Sequence, residues 1–364
     1  MKQAERIGWI DTLRAFAVFA IVLGHTLRNA TVVYPWLYSF HVPLCVLTSG
    51  IVFHVGQKKF GTFLKEKFRA LMIPYYCFAL ISIALYAILG SKMEKTVGGG
   101  YDVSPLQSVI GMLYANSGTG LMRWNMPLWY IPMIFVLLLM AFWIFRSKDN
   151  LKWNITVFLL SVLVAFILYE KIRLPNLPFG LETAIYMFPF FALGKVIGSV
   201  KGEFTRKSIL VKIAVTVGCL AVGTFMTIGN GQVSYNTDSY GTHGFGYFLV
   251  MAIMLCVGFV SLAMCFPNGV TPINYVGRNT VGIMVIYQYD NGISDDNRYC
   301  CWYPYYCIIK QFGRIFQQPN ALKLLLAHCI QTVICKFECV ASIFASFDWQ
   351  SKIRCDTKCW ICYT

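Results

Sequence analysis

The chain has 364 residues, of which 57% are hydrophobic and only 13% charged, and its mean hydropathy is +0.59. Soluble domains carry about 25% charged residues, so this chain lacks the polar surface to coat a soluble globule; a soluble enzyme, a disordered chain and a secreted disulfide scaffold are excluded. The formal charge of +15 gathers in short loops between apolar runs, as in membrane proteins that set their orientation by charge; membrane lipids are expected partners and nucleic acid is not.

A helical span takes about 20 apolar residues. That length places spans near 9–28, 36–56, 71–90, 128–145, 152–169, 180–198, 208–229, 245–265 and 272–288, with longer connections at 91–127 and 230–244. The expected fold is an all-α, polytopic integral membrane bundle of nine to ten transmembrane helices. No cleavable signal peptide is expected, because the first span carries Asp11 and Arg14 and lacks a small-residue cleavage site. No repeat of fixed period is visible, which weakens an inverted-repeat transporter design. With the N-terminus cytoplasmic, the inside segments hold 16 Lys and Arg, including Lys195 and a lone Arg278, against 6 outside. That imbalance sets the expected orientation.

The first span, WIDTLRAFAVFAIVLGHTLRN, carries Asp11, Arg14 and His25. Ionisable residues inside a span are costly and usually functional. At about 100° per residue the three share one helix face, which must meet another helix or a water-filled cavity. A structural Asp11–Arg14 pair with a hydrogen-bonded core His25 is the plain reading beside the chemical one.

These residues resemble the opening signature of the membrane acyltransferase-3 family: aromatic-x-Asp-x-Leu-Arg, then Gly-His with the His eleven residues after the Arg. FHVPLCVLTSG is similar to the second-helix pattern of the fucose 4-O-acetylase-like branch, with Val42 where that branch usually has Met. KFRALMIPYY, PLWYIPMIF and VGRNTVGIMVIY resemble three further family segments, and all keep family order across residues 6–287. The resemblance implies transfer of an acyl group, commonly acetyl from cytoplasmic acetyl-CoA, to a hydroxyl of an exported or surface polysaccharide or a lipid-linked sugar. It implies a multi-pass protein of the cell (inner, cytoplasmic) membrane and no metal. His25 would be catalytic, with Asp11 orienting Arg14; Arg14 and Arg69 would match the family's important arginines.

The physical reading agrees with those roles. The eleven residues from Arg14 to His25 rise roughly 16 Å, close to the reach of an extended pantetheine arm. Guanidinium forks suit CoA phosphates, and an imidazole either accepts a hydroxyl proton or carries the acyl group. His41, Trp129 and Tyr130 are candidate acceptor-site residues. Each has a plainer reading: a core histidine satisfied by a backbone carbonyl, and an interfacial aromatic belt. His54 reads as interfacial, SPLQSVIGMLY as an amphipathic helix in the interface, Glu182 as structural or cavity-lining, and the 230–244 loop with His243 as a plain connection.

After residue 287 the pattern changes. Five cysteines precede residue 300, singly in apolar runs, whereas nine (Cys300, Cys301, Cys307, Cys329, Cys335, Cys339, Cys355, Cys359, Cys362) crowd the last 65 residues. No partner histidine or second matched pair gives them ligand spacing. The reading is therefore a transmembrane domain over 1–287 and an atypical Cys-rich tail over 288–364, frameshifted or foreign in origin. The rival function is a multispan transporter or flippase whose Asp11, Arg14 and His25 line the pathway. A membrane sensor or scaffold is a third reading, without a soluble signalling domain to support it.

Overall fold

The first helix, α1 (Gly8–Thr26), is where the bundle assembles: it packs against α2 (Val33–Tyr38), α3 (His41–Val52), α11 (Gly244–Met264) and α12 (Thr271–Arg278). The computed structural model describes residues 7–26, 32–97, 103–266, 271–278 and 280, without side chains at 25, 26, 85, 88–97, 123, 271 and 272. All of these fall in the first of two units, Met1–Trp302 and Tyr303–Thr364. Most of the 272–288 span and the whole Cys-rich tail lie outside the described residues.

Between α3 and α11 the chain runs through α4 (Phe60–Lys67), a π-helical turn Phe68–Met72, α5 (Ile73–Val97), α6 (Pro105–Tyr114), α7 (Tyr130–Phe145), α8 (Leu151–Ile167), α9 (Leu181–Arg206) and α10 (Ile209–Asn230). A two-stranded antiparallel ribbon, β1 (Val233–Ser234) and β2 (Ser239–Tyr240), caps the connection from α10 to α11, pairing Val233 with Tyr240. Seven helical segments among the described residues are long and apolar enough to cross a membrane: Val33–Val52, Phe60–Ala84, Trp124–Phe145, Leu151–Ile172, Pro178–Arg206, Ile209–Asn230 and Gly244–Met264. The architecture is an all-α polytopic membrane bundle.

Two departures from the expected spans have local causes. The 36–56 span is two helices with a break at Ser39–Phe40, where Phe40 leaves helical geometry at φ −140°. Pro43 explains it: a proline has no N–H to donate four residues back and its ring crowds that carbonyl, here Ser39's. The 71–90 span extends from Phe60 through the π turn to Val97, because Phe60, Phe63 and Phe68 carry the apolar surface into the basic segment, packing on Phe142, Trp143 and Phe135.

Small residues set the closest helix approaches. A Cβ on Gly50 would collide with the Phe191 carbonyl, and one on Gly194 with the Leu47 carbonyl, so α3 and α9 touch backbone to backbone. This is how helices associate where lipid removes the hydrophobic drive. α8 and α10 instead turn large apolar side chains outward, among them Leu159, Leu160, Leu163, Val217, Phe225 and Ile228. Such a surface is too apolar for water and suits acyl chains.

The expected amphipathic segment forms α6. Its start is fixed by a capping box in which the Ser104 hydroxyl accepts from the Gln107 N–H and the Gln107 side chain accepts from the Ser104 N–H. Leu106, Val109, Ile110 and Leu113 line its exposed face, while Ser108, Gly111 and Met112 are buried.

Candidate functional site

At the first turn of α1, Asp11 is buried, its side chain 3% exposed. Arg14, one turn on, donates through Nη1 to Asp11 Oδ1 at 3.2 Å. The other carboxylate oxygen, Oδ2, accepts from Arg278 Nε of α12 at 3.1 Å. One buried carboxylate thus holds two guanidinium groups, themselves 33% and 46% exposed. Beside it Thr12 Oγ1 donates to Asn274 Oδ1 of α12 at 2.8 Å. The helices meet so closely that a Cβ on Gly277 would collide with the Asp11 carbonyl. Glycine at 277 and the Thr12–Asn274 bond therefore lock α12 onto α1 in the register that aims Arg278 at Asp11.

The opposite end of α1 meets α2. A Cβ on Gly24 would lie 3.0 Å from the Tyr38 ring, so His25, the next residue, belongs to the end of α1 that borders Tyr38. The His25 side chain itself is outside the described set. Tyr38 packs edge-on against His41, ring centroids 4.7 Å apart. His41 is 4% exposed, and its Nδ1 donates to the Leu37 carbonyl at 2.8 Å. Because a carbonyl only accepts, Nδ1 carries the proton, and Nε2 keeps its lone pair in the neutral ring.

The connection between α10 and α11 was expected to be plain, and it is not. Its ribbon drops Tyr235 edge-on beside His41, centroids 5.6 Å apart, where the Tyr235 hydroxyl donates to the Tyr38 carbonyl at 2.6 Å. Trp129, at the mouth of α7, stacks on the same Tyr235 ring at 6.4 Å, and Tyr130 meets Trp129 edge-on. His41 and Trp129 therefore pack on Tyr235, with Tyr130 against Trp129; Tyr235 is hidden from sequence reading by its Gly-, Asn- and Ser-rich surroundings.

The same end carries a buried carboxyl, Glu182, and a half-buried one, Asp238. Glu182 accepts from Asn116 Nδ2 and, through Oε2, from the Leu177 N–H at 2.9 Å. It ties the 115–120 and 173–180 segments to α9, the structural alternative of the two read from sequence. Asp238 Oδ1 accepts from Thr183 Oγ1 and from the Tyr240 hydroxyl, each at 3.1 Å. Burial, with the charge of Glu182 adding to it, pushes the Asp238 carboxyl up to about 7.

Arg69 stands apart from these groups. It is exposed on the Phe68–Met72 π turn, a segment packed chiefly on α4, α5 and α7, and it takes no ion pair among the described residues. Arg278, counted from sequence only as a loop charge, occupies the place beside Arg14 instead. Its signal was present in NYVGR, where Asn274 and Gly277, which hold α12 against α1, come just before Arg278.

A second polar knot lies at the end of the bundle to which Asp11 belongs, where α3 ends. Lys195 of α9 is buried and donates to the Phe53 carbonyl at 2.9 Å and to Asp149 Oδ2 at 2.8 Å. His54 Nδ1 stands 3.6 Å from the same Asp149 oxygen. Burial raises the Asp149 carboxyl, but hydrogen bonds from Lys195 and Asn154, the Lys195 charge and His54 outweigh it and hold it below the ordinary range.

No curated protein and no solved structure matches the chain. A family model does: the acyltransferase domain of the acyltransferase-3 family matches residues 7–334. That match contains α1 with Asp11 and Arg14, the Tyr235 aromatic group and α12 with Arg278, and it runs beyond residue 287. This polytopic chain belongs to the acyltransferase-3 family of membrane acyltransferases.

Proposed function

We propose that the protein is a membrane O-acetyltransferase that moves acetyl from cytoplasmic acetyl-CoA to a hydroxyl of an exported or surface polysaccharide or a lipid-linked sugar. The observation that carries this reading is the two-ended α1: a carboxylate-anchored pair of arginines at one end, and a border with the Tyr38–His41 group at the other. The protein sits in the cell membrane with its N-terminus cytoplasmic, and α1 and the 272–288 segment take the seven spans to the expected nine to ten, a count resting on the sequence alone.

In the reaction the acceptor oxygen bonds to the thioester carbonyl carbon and the C–S bond breaks. The hydroxyl proton ends on the CoA sulfur, giving an ester and free thiol. His25 serves as the base that takes the hydroxyl proton, or first as the nucleophile that carries the acetyl. Asp11 fixes Arg14, and His41, Trp129 and Tyr130 hold the acceptor near the far end of α1. Arg69 adds positive charge at the donor side. Labelled acetyl retained on His25 after mixing with acetyl-CoA alone distinguishes the acyl-imidazole route from direct transfer.

The test is complementation of a strain lacking surface O-acetylation, with acetyl groups on its polysaccharide read by NMR. Wild type is expected to restore the signals and His25→Ala to leave them absent. Equal signals from both would remove the catalytic assignment. Transport of unmodified saccharide without any acetyl transfer would favour the transporter reading.

A further inference from the structure

We infer that Arg278, with Arg14, forms a phosphate clamp for the nucleotide half of the acyl-CoA donor, both guanidiniums being held in place by Asp11. The inference rests on the proposed acyl-CoA reaction and names the residue that gives the donor its address.

The geometry argues for a binding fork in preference to a simple ion pair. A lone structural pair needs one cation for one carboxylate. Here Oδ1 and Oδ2 of Asp11 take one guanidinium nitrogen each, 3.2 Å and 3.1 Å away, from two helices 267 residues apart in sequence. Two guanidinium groups on adjacent carboxylate oxygens lie within roughly 9 Å of each other, a spacing that neighbouring phosphate oxygens can bridge.

Exposure points the same way. Asp11 is closed off from solvent while Arg278 remains 46% exposed. Arg278 spends only Nε on Asp11, and its two Nη groups take no hydrogen bond among the described residues. A guanidinium fixed by one edge presents the other as a preformed donor pair, the arrangement that suits bidentate phosphate contact. The backing is rigid: Thr12–Asn274 and the Gly277 contact hold α12 against α1, so little side-chain freedom is lost when the anion binds. Arg278 is thus a donor-binding residue, and Asp11 a positioning residue that acts through it.

The test uses the full chain in nanodiscs of phosphatidylcholine. Affinities are measured for CoA and for pantetheine, which has the same arm and thiol but no phosphate. Arg278→Gln is expected to weaken CoA about 10- to 100-fold, the worth of one or two charged hydrogen bonds, and to leave pantetheine unchanged. Arg278→Lys keeps the charge against Asp11 and the fold but not the fork, and is expected to lose affinity for CoA in the same direction. Equal weakening of both ligands, unchanged CoA affinity in both variants, or no CoA binding by wild type would each overturn the inference. Native mass spectrometry of protein from phosphatidylglycerol nanodiscs identifies the alternative anion: loss of bound lipid in Arg278→Gln, with CoA affinity intact, assigns the clamp to a lipid headgroup and overturns the donor assignment. Because binding is read without turnover, loss of CoA affinity in a protein that acetylates no sugar would uphold the clamp while refuting the proposed acceptor.

Discussion

Arg278 of α12 and Asp11 of α1, 267 residues apart in the chain, meet through Nε and Oδ2 at 3.1 Å. The contact makes α12 part of the first helix's chemistry. It also gives the buried Asp11 two partners, so that loss of either arginine leaves the carboxylate still paired.

That redundancy orders three substitutions. Asp11→Ala removes a shared partner from two cations at once, and removing one member of a buried pair costs about 3–5 kcal/mol. Both arginines reach solvent here, so about 2 kcal/mol is expected. Arg14→Ala and Arg278→Ala are each expected to cost less. Thermal unfolding in detergent checks the order, and an Arg278→Ala protein less stable than Asp11→Ala would contradict it.

The α3–α9 contact tolerates no added bulk. Gly194→Val puts side-chain atoms where the Leu47 carbonyl already stands, and the helices must separate. Loss of the monodisperse folded peak in size-exclusion chromatography is expected. Gly202→Ala, with nothing within 4 Å of the added methyl, is expected to behave as wild type and to gain slightly from helix propensity.

Asp238 sets a pH dependence of definite sign. Between an ordinary aspartate value near 3.9 and about 7, the unfolded chain has released this proton while the folded one retains it. Stability therefore falls as pH rises through that window. Asp238→Asn keeps an oxygen for Thr183 and Tyr240 without the charge. It is expected to raise the melting temperature at pH 8 and change it little at pH 4. A melting temperature lowered equally at both would contradict this.

Asp149 works in the opposite sense. Its carboxyl is held low by Lys195, Asn154 and His54 against the pull of burial, so its contribution is present above the ordinary aspartate value and is lost as pH falls below it. Asp149→Asn is expected to destabilise the protein at pH 7 and to converge with wild type in acid. Melting curves across pH 3 to 7 show whether the two converge.

Much of this architecture was legible because membrane spans follow from apolarity alone. Seven of the expected spans, from 36–56 to 245–265, correspond to helices, with three departures: the split at Ser39–Phe40, the long run from Phe60, and α9, which continues past 198 to Arg206. Asp11–Arg14 was legible because it is a local three-residue spacing on one helix. Arg278 was not, since a contact across 267 residues leaves no periodic trace and a basic residue after a span reads as an orientation charge. Lys195 was hidden in the same way: counted as a loop charge, it is buried in α9 and neutralised by Asp149. Tyr235 escaped because loop composition reports turns and says nothing of a single ring inserted beside His41.

The central claim is that α1 joins a donor end at Asp11 and Arg14 to an acyl-transfer end at His25. Its most direct test is radiolabelled acetyl transfer in proteoliposomes, with acetyl-CoA on one side and a saccharide acceptor on the other. His25→Ala is expected to bind CoA with wild-type affinity while label reaching the acceptor falls by at least about 100-fold, the low end of what a catalytic imidazole contributes. Transfer by His25→Ala at the wild-type rate would contradict the account.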